Sequence, residues 1–101
     1  MVTLSVTRSR VAAVLEGAAN LLGAEGWNAT LNPIIGAIDR AAGFVPGKGT
    51  ADAEATSLAA WDALCQYLCD QYPEEWERRP ARTQAEVLGA LRAASEEVSV
   101  C

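Results

Sequence analysis

Apolar residues recur along this chain three and four positions apart, the spacing of a helix, and almost nowhere at the alternating spacing of a strand. Val11, Val14, Leu15, Ala18, Leu21 and Leu22 trace one such stripe and predict a helix from about Arg8 to Ala24. Thr7 suits its N-cap, Gly26 suits the left-handed residue that ends it, and Trp27 is placed to fold back over its last turn. A short second helix is predicted from Pro33 to Ala42. Asn32-Pro33 pairs a capping side chain with a proline at the first helical position, and Ile34, Ile35 and Ile38 supply the apolar face. Gly36 offers a place for another helix to approach, and Gly43 ends the element.

The longest helix is predicted from Ala51 to Tyr72. Thr50 caps it, and Asp52 and Glu54 complement the positive end of its dipole. Leu58, Trp61, Cys65, Leu68 and Tyr72 step by three and four and are read as its buried stripe, with Leu64 beside them and Trp61 in the core. Pro73 stops it, and residues 73–82 form a connector with room for one helical turn. A last helix runs from Gln84 to Glu97, opened by the capping box Thr83-x-x-Glu86 and carrying Val87, Leu88 and Leu91. Glu96 and Glu97 lie at the negative end of its dipole, so residues 98–101 read as a frayed tail. Residues 1–7, where Val2, Leu4 and Val6 alternate with polar residues, read as an extended lead-in.

The expected fold is therefore all-α: a single domain over residues 1–101, a compact four-helix arrangement packed either as a bundle or irregularly and orthogonally. A chain of 101 residues supports one modest core and leaves no room for a second domain. Runs such as Ala12-Ala13, Ala41-Ala42 and Ala59-Ala60 favour helix throughout.

Composition narrows the chemistry. Histidine is absent, which removes the commonest general base and the commonest metal ligand. Ser/Lys chemistry would have only Lys48 to use, and Pro46-Gly47-Lys48-Gly49 lacks the spacing of a phosphate-binding loop. Paired carboxylates such as Asp39, Glu54 and Asp62 read as solvated surface. Cys65 and Cys69, four apart on one helix, are two ligands where a metal needs about four, and are read as buried thiols. Cys101 makes the count odd and terminal, which argues against a disulfide scaffold and for a reducing compartment. No catalytic set, no cofactor site and no metal site is expected.

Eight basic and thirteen acidic residues give a formal charge of −5, which disfavours nucleic acid as a partner. Helix two with Asp39 and Arg40, and the last helix with Gln84, Glu86 and Arg92, make poor reading heads for DNA. Arg78, Arg79 and Arg82 follow directly on Glu74, Glu75 and Glu77, a mixed segment read as a salt-bridged surface turn. No uncharged apolar run reaches the roughly twenty residues of a membrane span, and the first apolar stretch is broken by Glu16 and Asn20, unlike a secretory signal. The expected compartment is the cytoplasm, where the sequon Asn28-Ala29-Thr30 meets no glycosylation machinery. Trp27 and Trp76 lie in connectors, where a tryptophan either pins a loop or anchors a partner. They are interface candidates together with Phe44, Tyr67, Arg78, Arg79 and Arg82.

Ile34-Ile35-Gly36-Ala37-Ile38 and Arg82-Thr83-Gln84-Ala85-Glu86-Val87-Leu88, with the earlier Gly26-Trp27 and the later Arg92-Ala93-Ala94, resemble a family of small uncharacterised helical proteins of actinobacteria and their phages. The likeness spans about residues 10–95. Members often carry an Asn-Asp pair before the Arg-Thr step, where Arg78-Arg79-Pro80-Ala81 stands here. The resemblance implies a helical fold and a bacterial or phage setting, and brings no catalytic residues.

The expected function is a non-enzymatic module that binds a protein partner or itself, in the form of a phage or actinobacterial regulator or adaptor. A second reading places a small-ligand or enzymatic site between helices, drawing on Cys69, Arg40 or Asp62. A third makes the chain an acidic component of a nucleic-acid-associated system.

Overall fold

In the computed structural model, which describes residues 8–45, 47–69 and 71–99, the chain forms five helices: α1 (Arg8–Glu25), α2 (Ile34–Ala42), α3 (Ala51–Tyr67), α4 (Pro73–Glu77) and α5 (Gln84–Ser99). Among the described residues there is no strand; one isolated bridge between Asn28 and Asn32 closes the α1–α2 turn. The side chain of Asn28 accepts from the N–H groups of Thr30 and Leu31, a local turn bond typical of asparagine. The all-α expectation holds, with the single turn allowed for in the connector forming α4.

The core is built around α1, which packs most extensively against α5 and also meets α2 and α3. Leu15, Ala18, Ala19 and Leu22 of α1, Ile34, Ala37 and Ile38 of α2, Ala60 and Leu64 of α3, and Val87 and Leu91 of α5 join one cluster without exposed surface. Each buried leucine or isoleucine contributes about 1.5–3 kcal/mol. The stripe read for α1 is the observed one, apart from Leu21, which is half-buried. The close approach between α1 and α2 falls at Gly17, where an added Cβ would lie 3.3 Å from the Ala41 methyl, and not at Gly36, where nothing comes within 4 Å. Ser95 of α5 donates to the carbonyl of Ala12 at 2.8 Å, satisfying a buried hydroxyl across the α1–α5 contact.

Local end signals act as the sequence implies. Gly26 and Gly43 take positive φ (92° and 77°) after α1 and α2. Thr50 caps α3 by accepting from the N–H of Ala53 at 3.0 Å. Thr83 and Glu86 form a reciprocal capping box at α5: Glu86 N–H donates to the Thr83 hydroxyl at 3.2 Å, and Thr83 N–H donates to the Glu86 carboxylate at 2.9 Å. The Thr7 cap, the lead-in and Cys101 lie outside the described residues. Of the tail, α5 includes Val98 and Ser99.

Helix α3 departs from expectation in face and in length. Its buried residues are Ala53, Thr56, Ser57, Ala60 and Leu64. Leu58 is 61% exposed, Trp61, Cys65 and Leu68 are half-buried, and Tyr72, at 62% exposure, lies beyond the helix. Two stripes on α3 share the three-and-four spacing, and the one that turns inward is the small one. Small side chains let a helix lie close to its neighbours in a core this size. α3 ends at Tyr67, five residues early. Cys69 adopts φ 59°, reversing the chain, and Tyr72 is extended ahead of Pro73, as the proline ring requires. Neither Cys65 nor Cys69 is the buried thiol expected, since Cys65 is half-buried and Cys69 is exposed.

Candidate docking groove between α2, α3 and α4

The reversal after α3 brings α4 back beside α2, with Pro73 and Glu77 buried. Glu77 is 2% exposed, and one carboxylate oxygen accepts two bonds: from the Trp27 indole N–H at 2.8 Å and from the Ile34 backbone N–H at 3.0 Å. Asn32 was expected to cap α2. Instead Pro33 occupies the N-cap with no capping side chain, and Glu77 accepts from the first N–H of α2 from 43 positions away. Asn32 serves the turn, donating to the Gly26 carbonyl at 2.9 Å and accepting from Arg40 at 3.1 Å. Burial pushes the Glu77 carboxyl above the ordinary glutamate value, while the bonds from Trp27 and Ile34 and the nearby Arg78 pull it back. Elsewhere, exposed ion pairs tie helices together: Arg10–Asp52 at 2.8 Å, Arg40–Glu25 at 2.9 Å and Arg92–Glu16 at 3.6 Å. Hydrogen bonds from Arg40 and Arg10 hold the Glu25 and Asp52 carboxyls below their ordinary values.

With α4 fixed in this way, a groove of about 340 Å³ opens between α2, the start of the α2–α3 loop, α3 and α4. Its apolar lining is Ile35, Phe44, Leu58 and Trp61, and its polar lining is Asp39, Glu54, Ser57 and Glu74. Ile35 (38%) and Leu58 (61%) are among the most exposed large apolar residues described, and both belong to this one surface. Trp61 has one side against the core and the other in the groove, so it is not the fully buried residue read from its stripe. Asp39 is held in place by the Ser57 hydroxyl, which donates to it at 2.5 Å. Ser57 is 4% exposed, and its hydroxyl positions the Asp39 carboxylate at the wall of the groove. Three carboxylates and no basic residue line the groove.

The interface candidates are dispersed. Phe44 is in the groove. Trp27 is tied down twice, by its indole to Glu77 and by its backbone N–H to the Gln84 side chain at 2.8 Å. Tyr67 is half-buried against the core. Trp76 is half-buried beneath the guanidinium of Arg82, which sits 3.9 Å from the ring centroid, and Arg82 also bonds the Trp76 carbonyl at 3.0 Å and pairs with Glu86 at 3.4 Å. Arg78 and Arg79 are exposed in the turn after α4. Cys69, Arg40 and Asp62, weighed for a ligand site, do not line the groove. Ile35, Asp39, Glu54, Ser57, Leu58, Trp61 and Glu74 were not singled out as a site. The signal available for them was the second three-and-four stripe of α3. Among the described residues no group of three or more cysteines and carboxylates is placed to hold a metal ion, and no helix is long and apolar enough to cross a membrane.

A family model described as a family of unknown function, DUF6197, matches residues 33–97, from the start of α2 through nearly all of α5, and so includes every residue that lines the groove. No curated protein matches the chain, and no solved structure does.

Proposed function

We propose that the chain, which belongs to the DUF6197 family, is a non-enzymatic protein-binding module that docks a partner's segment in the groove between α2, α3 and α4. One observation carries the reading: exposed Ile35 and Leu58 and half-buried Phe44 and Trp61 share one concave surface on a small acidic domain. A contiguous apolar patch in a groove costs solubility, and covering it with a partner recovers that cost. Tryptophan in a recess is also the residue type that most often anchors an interface. The carboxylates at the rim favour a segment that combines apolar and basic side chains. The same reading makes the chain a cytoplasmic regulator or adaptor. An actinobacterial or phage setting draws support from its alanine-rich composition, its preference for arginine over lysine and the resemblance of its motifs to those of such proteins.

A second reading, a small-molecule site, draws support from the volume of about 340 Å³, near the lower bound of ligand pockets. Selection from a displayed random-peptide library against the immobilised full chain separates the two. The docking reading expects a consensus with apolar residues beside a basic one, lost when Leu58→Asp protein is the bait. Failure to enrich any consensus, or a consensus indifferent to Leu58→Asp, overturns it.

A further inference from the structure

We propose that α4 and the turn after it form a strap that opens from the rest of the domain as a unit, turning at Cys69 and Ala81, and that its closure completes the groove. The inference rests on the docking reading above for what the closed strap serves, and not for the motion itself. Among the described residues, two that are not glycine take positive φ: Cys69 at 59° and Ala81 at 69°. One stands before α4 and the other after it. A side chain at such an angle is strained, and the strain is released when the residue turns back to negative φ. This strain thus sits at both ends of one short element.

That element does not support itself. α4 has five residues, fewer than a helix needs to persist alone in water, and Tyr72 at its N-cap supplies no capping side chain. Its place is set from outside. The Glu77 carboxylate accepts from the Trp27 indole N–H at 2.8 Å and from the Ile34 N–H at 3.0 Å, Pro73 is buried, and Trp76 is half-buried beneath the Arg82 guanidinium. Arg82 lies beyond Ala81 and pairs with Glu86 of α5 at 3.4 Å, so it braces the strap from the far side of the turning point. One oxygen of Glu77 carries both of its bonds, so both are lost together when α4 lifts. An element held by few contacts opens below the free energy of global unfolding. Glu74 is the residue that α4 contributes to the groove lining, so the open strap leaves the groove without that wall.

The test is native-state hydrogen exchange of the full chain, followed by nuclear magnetic resonance under conditions where exchange reports the opening equilibrium. The Ile34 amide, the Trp27 indole and the Trp76 amide, which donates to the Tyr72 carbonyl at 3.0 Å, should share one protection factor. It should be at least about tenfold below that of the Leu22 and Leu91 amides, which exchange through global unfolding. Cys69→Gly and Ala81→Gly remove the strain of the closed form, so each should slow exchange at the three strap sites severalfold. Core-like protection at the strap sites, unequal protection among them, or strap exchange that either glycine substitution leaves unchanged overturns the inference. A library-selected peptide at saturation supplies the second arm. It should slow the strap sites by the same factor as the Leu22 and Leu91 amides, because neither the open nor the unfolded form binds it. A peptide that slows the core amides and leaves the strap sites unchanged shows that the groove works without α4; the strap's role then fails and the docking reading stands. If no peptide is selected, the docking reading and the strap's role at the groove fail together, and the exchange pattern still decides the motion.

Discussion

The α1–α5 pair and helix α3 solve the same problem in opposite ways. α1 and α5 turn large side chains inward: Leu15 and Leu22 from one, Val87 and Leu91 from the other, all without exposed surface. α3 turns Ala53, Thr56, Ser57 and Ala60 inward with one large residue, Leu64, and leaves Leu58 and part of Trp61 outside. A helix that buried its best apolar residues would leave no groove. The apolar surface withheld from the core on α3 is the surface available to a partner, so the part of the molecule that stabilises it and the part that recognises others are separable by residue size.

The largest test of that division is truncation in the packed half. Leu91→Ala should cost about 3 kcal/mol, seen as a drop of roughly 10 °C or more in the thermal midpoint of a domain this size. Trp61→Ala should cost less, because part of the ring faces the groove and not the core. Equal losses would show that α3 contributes to the core as α5 does, and the contrast would be wrong.

Glu77 ties α4 to the α1–α2 turn and to α2, and its effect is next in size. Glu77→Ala leaves the Trp27 indole N–H and the Ile34 N–H without their acceptor and should cost about 3 kcal/mol. Glu77→Gln has a pH signature. The folded state holds this carboxyl above its unfolded value, so its contribution to stability is fully present below the unfolded value and is lost as pH rises through the folded one. Glutamine does not titrate. The stability of Glu77→Gln relative to the parent should therefore improve from acid toward neutral pH, as read from urea unfolding at a series of pH values. Glu25 and Asp52, whose values are lowered, act in the opposite direction in both proteins and cancel in the difference. A difference that is flat, or that falls with pH, rules out the burial effect at Glu77.

A further substitution probes how α3 packs on the core. Ala60 has no exposed surface, and Ala60→Leu forces three extra heavy atoms into a contact built for a methyl group. Overpacking of this kind costs about 2 kcal/mol. A neutral result in chemical unfolding would mean α3 can withdraw from the core, and the groove would then be adjustable and not fixed.

What was legible in the sequence was local. The stripe of α1, the capping box at Thr83 and Glu86, and the left-handed glycines after α1 and α2 are each decided within a few residues. The inward face of α3 was not legible, because Leu58-Trp61-Cys65-Leu68 and Ala53-Ser57-Ala60-Leu64 have the same period. Spacing identifies a helix but does not say which of two apolar faces is buried. Side-chain size argued for the wrong one, since the face that turns inward is small everywhere but at Leu64. Glu77 was illegible for a different reason. Its partners Trp27 and Ile34 are 50 and 43 positions away, and a glutamate in Glu74-Glu75-Trp76-Glu77 reads as one of several solvated acids. The groove inherits both failures: it needs α3 rotated as it is, and α4 anchored by Glu77, before its lining residues come together.

The smallest expected effect on stability is the most informative about function. Leu58 is 61% exposed and contributes little to the core, so Leu58→Asp should change unfolding free energy by less than about 0.5 kcal/mol. The same change places a fourth carboxylate on a groove already lined by three and removes one of its two most exposed apolar side chains. For a partner with a purely basic segment, the added charge would help as much as the lost leucine hurts. For a segment that brings apolar side chains as well, a buried carboxylate facing them carries a desolvation cost that the added attraction to a single basic residue does not offset. Peptide binding should therefore fall at least tenfold in Leu58→Asp while the melting curve stays in place. Leu58→Ala should fall by less, having lost the contact without gaining the charge. If binding instead rose in Leu58→Asp, the groove would be an electrostatic surface with an incidental leucine, and the division of α3 into a core face and a recognition face would lose its functional half.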